Sequence, residues 1–219
     1  MARTANVPGL TRDAVLEAAA RVLERDGLAG LTMRGVAAEL GVQAPALYWY
    51  VASKAALRIA LYDHLMVGMV FKPEGEDWRE DVRRMAHDLR RWLLSRRDLA
   101  RLIPDGFFFA PQAMAQMDTV LGVLMGAGLT PRDAFYAFAT SFSFVVRWCL
   151  GEVALRDDDA RPGLDAEARD LLLTGEAYPN VAKAVGAFVV AGSFEEQFAF
   201  GIDSLIAGFE RLIPGTAPC

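Results

Sequence analysis

Residues 32–54 read Thr-Met-Arg-Gly-Val-Ala-Ala-Glu-Leu-Gly-Val-Gln-Ala-Pro-Ala-Leu-Tyr-Trp-Tyr-Val-Ala-Ser-Lys, and their punctuation is the most informative in the chain. Thr32 is a helix-capping residue, and Gly41 is a natural helix stop. A second short helix opens around Pro45, carries Tyr48, Trp49 and Tyr50, and stops before Ser53. Two short helices joined by a tight turn, the second tipped with polar and aromatic groups, can lay a helix in the DNA major groove.

Working outward, the periodicity is helical almost throughout. Thr11 caps a first helix with Val15, Ala18, Ala19, Val22 and Leu23 inward, Asp13 near its start and Gly27 as its stop. The second helix turns Val36, Ala37 and Leu40 inward, and the third spans about residues 44–50. Ser53 caps a long fourth helix, over 53–71, which Lys72-Pro73-Glu74-Gly75 breaks. This places a DNA-reading domain at 1–58 and a body at 72–219. In the body, helices are expected near 77–95, 97–103, 111–126, 131–155, 165–190 and 193–212. The fold class is all-α, with a three-helix head on a helical body that binds ligand and dimerises.

Charge is divided in the same way. Residues 1–58 hold seven Lys/Arg against five Asp/Glu, leaving 16 of the 23 basic and 23 of the 28 acidic residues in the rest. A mildly basic head beside an acidic body fits a small footprint on a duplex. The hydrophobic content of 53% exceeds what a monomer of this size needs, so a subunit interface or a ligand should cover some of it. Cys149 and Cys219 have no metal or redox spacing. With no secretory leader and no unbroken apolar run long enough to span a bilayer, a cytoplasmic protein without a membrane partner is expected.

The stretch from Leu31-Thr32 to Lys54, above all Pro45-Ala46-Leu47-Tyr48-Trp49 followed by Val51 and Lys54, resembles the tetracycline-repressor family of transcription regulators. Further stretches look like the tetracycline-repressor subgroup: Glu74 to Trp78, Trp92 to Asp98, Ala134 to Ala137, and Phe200 to Glu210. The resemblance implies an Ω-shaped homodimer with two reading heads. It also implies a core closed by a four-helix bundle, and repression of operator DNA relieved by a small-molecule effector.

By that resemblance Gln43, Ala44, Pro45, Ala46, Tyr48, Trp49 and Tyr50 stand where family members touch DNA. Gln43 suits a base edge; Ala46 and the Pro45 ring suit a thymine methyl. Tyr48, Lys54 and Arg34 suit phosphates, Arg34 beside the amides that open its helix. The alternative is that the aromatics are core, but three consecutive large rings cannot all face inward on a helix. Tyr50 replaces the histidine that tetracycline repressors carry after the Tyr-Trp pair, so the operator sequence does not transfer.

A second departure concerns the effector. The resemblance places the family's magnesium-binding histidine and glutamate at Ile103 and Gly151, and an amide-bearing drug contact at Met85. With His64 and His87 the only histidines, a hard-cation site has little to build from, and no cofactor is expected. An apolar wall takes its place: Met85, Leu89 and Trp92 on the fifth helix, then Ile103 and Phe107-Phe108-Phe109. Met117 and Val120 on the seventh helix and Phe135, Phe138 and Phe142 on the eighth continue it. As a set these residues suit a hydrophobic or aromatic effector; singly, each reads equally well as core. On the last helix Gln197, Gly201, Ser204, Gly208 and Arg211 share a face. Together with Tyr136, Thr140, Ser143 and Arg147 of the eighth, that face is expected at the dimer interface, the alternative being packing within one subunit.

An enzyme is disfavoured, since no phosphate loop, nucleophile elbow or metal-spaced cluster appears. A DNA-binding regulator without an effector remains the rival. A filled core would favour it, and an open cavity would favour ligand control.

Overall fold

The computed structural model describes residues 9–75, 77–103, 110–156, 178–184 and 193–215, with the side chains of residues 155 and 156 excepted. Among these there is no strand. The labelled helices are α1 (Arg12–Gly30), α2 (Met33–Glu39), α3 (Ala44–Leu47), α4 (Lys54–Leu65), α5 (Trp78–Leu94), α6 (Leu99–Leu102), α7 (Pro111–Gly126), α8 (Pro131–Arg156) and α9 (Phe194–Glu210). Residues 179–184 are also helical. The expected helix at 165–190 lies mostly outside the described residues, as do Phe107, Phe108 and Phe109.

Caps set the helix starts. Thr11, Thr32 and Ser53 accept from the amides of Ala14, Gly35 and Ala56 at 3.1, 2.9 and 3.1 Å, satisfying donors that a helix start leaves unpaired. Gly27 (φ 69°) breaks α1 one turn before its end. Gly41 (φ 68°) turns the chain between α2 and α3. Gly35 is fixed by proximity, because a Cβ there would stand 2.6 Å from the Gly30 carbonyl oxygen. α2 therefore lies close against the end of α1. Glu39 holds the same two helices together, accepting from Arg21 at 2.8 Å and Arg25 at 2.7 Å. The hydrogen bond from Arg21, followed by that from Arg25, keeps its carboxyl below the usual glutamate range.

Three boundaries differ from the sequence expectation. The third helix ends at Leu47, so Tyr48, Trp49 and Tyr50 lie in the turn that follows it. The fourth ends at Leu65 rather than 71. Gly68 sits at φ 91°, and the Trp92 indole N–H donates to the Leu65 carbonyl at 3.0 Å, occupying one of the acceptors left open at that end. The sixth is only Leu99–Leu102, entered through Asp98 in the left-handed region at φ 56°.

Head and body share one continuous apolar core, running from Val15 and Val22 through Leu57 and Leu61 to Leu99, Leu102, Leu124 and Phe198. In the body α5 packs on α7, α8 and α9, and α8 packs on α7 and α9. A polar network ties α5, α8 and α9. Glu152, 8% exposed, accepts from Arg90 and from the Trp148 indole, both at 2.7 Å. Arg90 also pairs with Glu195 and lies over the Phe198 ring.

Gly201 corrects the expectation for the last helix. A Cβ there would meet the Phe144 ring at 2.3 Å, so this glycine serves α8–α9 packing inside one protomer. Gly208 meets nothing within 4 Å. Residues 131–154 of α8 are long and apolar enough to cross a bilayer by length and composition. Arg147 and Glu152 interrupt this apolar stretch in the sequence. The helix has another use for that apolarity, since it borders a cavity, the core and the outer surface.

Candidate DNA-reading face and central cavity

α3 buries Ala46 and Leu47 and presents the rest. Gln43 is its N-cap and makes no side-chain cap bond, so its amide, on an exposed residue, is available outward; Pro45 is exposed beside it. Ala46, expected at a thymine methyl, is 3% exposed and sits inside the head instead. Ala44 is half-buried. Tyr48 and Trp49 are 55% and 67% exposed, a large aromatic surface left uncovered by the protomer. Tyr50 turns the other way: its ring packs on the core and its hydroxyl donates to the Leu10 carbonyl at 2.8 Å, anchoring the approach to α1.

The head's positive charge is narrower than its composition suggests. Arg21 and Arg25 are committed to Glu39, and Arg25 also to Asp26. The Arg58 Nη2 donates to the Arg101 carbonyl at 2.6 Å. Arg34 and Lys54, at the first turns of α2 and α4, are exposed and have no ion pair among the described residues. A phosphate placed there would meet a cation and a helix N-terminus together.

The body encloses a cavity of about 440 Å³. α4 and the following segment contribute Tyr62, Met66 and Phe71, and α5 contributes Val82, Met85, Ala86 and Leu89. Ile103 closes one side. Met114, Gln116, Met117, Val120 and Leu124 come from α7; Phe138, Phe142, Ser143, Val146, Arg147 and Leu150 are among those from α8. Phe138 and Phe142 stack at 5.8 Å. Of the residues expected in the wall, Met85, Leu89, Ile103, Met117, Val120, Phe138 and Phe142 meet there. Trp92 does not, because its indole is engaged at Leu65. Phe135 does not either; it lies toward the start of α8, 38% exposed.

Tyr62, Met66 and Phe71 line the cavity without having been among the wall residues expected from the sequence. Beside Leu57 and Leu61, Tyr62 and Met66 form a second pair at i, i+4, and a helix with two apolar stripes must touch two neighbours. Burial, and secondarily the nearby Asp63 carboxylate, push the Tyr62 phenol above its usual range. It is a neutral wall element at physiological pH.

Among the described residues the wall contains no carboxylate and no imidazole, and Ile103 lines it at the position where the resemblance places the family's magnesium-binding histidine. Gln116 offers an amide, but its Oε1 accepts from Phe71 N at 3.0 Å and its Nε2 donates to the Met69 carbonyl at 2.7 Å. His87 is engaged elsewhere, 3.2 Å from Glu195 and edge-on to Phe198.

Cavity and head are mechanically joined. Asp63 of α4 accepts from the Gln112 amide at 2.7 Å, capping the start of α7, while Gln116 holds the chain just after α4. At the far end of the head, Asp98 accepts from the Leu28 amide at 2.8 Å and from Arg101 at 2.9 Å. Arg97 donates to the Arg25 carbonyl at 2.8 Å.

Comparison with known proteins matches residues 15–61 to the model of bacterial regulatory proteins of the tetR family. Residues 72–213 match the tetracyclin repressor-like C-terminal domain. The chain belongs to the TetR family. Its relatives include the tetracycline repressor protein class C of Escherichia coli, 32% identical over 206 residues, covering 93% of this chain and 92% of that one. ActR of Streptomyces coelicolor in complex with actinorhodin superposes with a TM-score of 0.81 at 26% identity, covering 96% and 100% of the two chains. A TetR variant from Acinetobacter baumannii AYE in complex with minocycline gives 0.69 at 32% identity, covering 93% and 98%. This TetR-family chain is thus a ligand-responsive, DNA-binding transcriptional repressor, built as a helix-turn-helix head on a helical body.

Proposed function

We propose that this TetR-family repressor binds its operator as a homodimer and is released by a hydrophobic aromatic effector that needs no divalent metal. The observation that carries the effector class is the cavity. At about 440 Å³ it lies within the range of small-molecule sites, ~300–1,000 Å³, and its wall is aromatic, aliphatic and thioether. An open cavity of this size favours ligand control over an effector-free regulator. ActR, 26% identical, is known in complex with actinorhodin, and a TetR variant, 32% identical, in complex with minocycline; the absence of carboxylate and imidazole from the described wall residues supports an effector held without a metal. In DNA binding, Gln43 and Pro45 read base edges, Tyr48 and Trp49 pack on the backbone and groove wall, and Arg34 and Lys54 take phosphates. Dimerisation uses the outer faces of α8 and α9, where Tyr136, Thr140, Phe200, Ser204 and Gly208 are exposed. One short reading helix contacts too few bases alone, so two heads on a near-palindromic site are required.

The test is release of labelled operator by fluorescence anisotropy. Metal-free anthraquinones should release DNA, and tetracycline with magnesium should not; magnesium-dependent release by tetracycline refutes the effector assignment. For the DNA face, Lys54→Ala should lower affinity for operator and random DNA alike and reduce the salt slope by about one. Gln43→Ala should relax discrimination at one base pair by ~1–3 kcal/mol.

A further inference from the structure

We infer that Gln116 determines which aromatic compounds the cavity accepts, by donating to a carbonyl oxygen of the effector and so selecting ketones and quinones over hydrocarbons of the same shape. This rests on the reading of the cavity as an effector site and gives that effector a functional group. Gln116 stands one turn after Ala113 and one turn before Val120 on α7, both of which line the space with it. Its amide is held in one orientation. The Oε1 accepts from the Phe71 amide at 3.0 Å and the Nε2 donates to the Met69 carbonyl at 2.7 Å, so exchanging the two ends would set donor against donor and acceptor against acceptor. Phe71 itself lines the cavity, which keeps the head of the Gln116 side chain at the wall. A primary amide has two N–H groups; one is spent on Met69, and the second remains for a ligand.

The other polar side chains of the wall suit this role less well. The hydroxyls of Ser141 and Ser143 rotate and can turn back to carbonyls of α8. Ser143 and Arg147 also lie toward the outer face of α8, with Tyr136 and Thr140, where the second subunit is proposed to pack. Gln116 is on α7, outside that surface, and the protomer's own backbone fixes its direction. In a cavity open to solvent, water can serve the remaining N–H. A hydrocarbon filling the space displaces that water and leaves the donor unpaired among Met, Phe and Val side chains, which disfavours the complex. A carbonyl oxygen restores the bond and requires neither charge nor metal.

The experiment uses the full chain and a matched pair, fluorenone and fluorene, which differ by one carbonyl, with affinities measured by equilibrium dialysis. Gln116→Leu and Gln116→Glu should each lower the ratio of fluorenone to fluorene affinity about tenfold, equivalent to ~1.4 kcal/mol, by weakening the ketone. Glutamate keeps an acceptor for the Phe71 amide; whether ionised or protonated toward the Met69 carbonyl, it has no hydrogen left for the ligand. Loss of the backbone contacts alone would weaken both compounds alike and leave the ratio unmoved. The carbonyl stretch of bound fluorenone should lie at lower wavenumber in wild type than in either variant. An unchanged ratio in either variant, or an unchanged stretch, would overturn the inference and leave the cavity's reading as an effector site intact. If neither compound binds wild type, that reading falls and this inference with it.

Discussion

Replacing Asp98 tests how the reading head is held on the body. Its carboxylate is 7% exposed and receives the Leu28 amide at 2.8 Å, just past the Gly27 break, and Arg101 at 2.9 Å. In Asp98→Ala the Leu28 N–H loses its acceptor in a partly buried setting, costing ~1–3 kcal/mol. Loss of the Arg101 pair adds about 0.5 kcal/mol, because Arg101 remains one-third exposed. Alanine at φ 56° adds about 1 kcal/mol that aspartate largely avoids. The sum is about 3 kcal/mol, or a Tm lower by roughly 6–12 °C for a chain of this length. Asp98→Asn keeps an acceptor and tolerates the left-handed backbone, so its loss should stay under about 1 kcal/mol. Asp98→Gly, which relieves the backbone but not the amide, should fall between. Urea unfolding of the full chain at fixed protomer concentration measures all three. An alanine variant within ~0.5 kcal/mol of wild type, or an asparagine variant as unstable as alanine, would refute the argument.

The two glycines of α9 should separate. Gly201→Val drives side-chain atoms into Phe144 and should destabilise the protomer by ~1–3 kcal/mol, seen in denaturant midpoints. Gly208→Leu meets no neighbour, so it should leave the protomer fold intact while shifting light scattering from dimer toward monomer. Acid should loosen the α5–α9 contact. Arg90, by hydrogen bonding, holds Glu195 below its unperturbed 4.5 against an opposing desolvation effect. Its folded value is therefore the lower one, and its contribution is present above pH 4.5 and lost as pH falls through the folded value. Glu195→Gln should show a smaller decline in stability over that interval, and an unchanged decline would remove the pair from the explanation.

Much of this architecture is written locally. Thr11, Thr32, Ser53, Gly27 and Gly41 act where the sequence places them, because a cap or a left-handed turn needs only its near neighbours. Tyr48 and Trp49 are outside as the sequence suggested, but in the turn after α3 rather than on a helix face. The misses are of another kind. Met85, Leu89 and Trp92 share a helical face, as do Phe135 and Phe142, yet Trp92 and Phe135 stand clear of the cavity. A periodic pattern fixes the angle of a side chain about its helix, not where crossing helices begin and end the space along the axis. Ala46 is inward because α3 is a single turn, and a helix so short must spend two of its four residues on the core. Gly201 shows the remaining ambiguity, since a small-residue stripe predicts close approach without saying whether the neighbour belongs to the same chain.

The three-sided use of α8 constrains how this repressor can diverge. Phe138 and Phe142 face the cavity, Ala137 and Cys149 the interior, and Tyr136 and Thr140 the outside, so neighbouring positions answer to different demands. A substitution that reshapes the cavity from α8 is within one residue of disturbing the core or the outer face. Met114 and Met117 of α7 have more freedom, being unbranched and partly open. Descendants that acquire new effectors should therefore record the change on α7 first, with α8 as the slowly changing part of the wall.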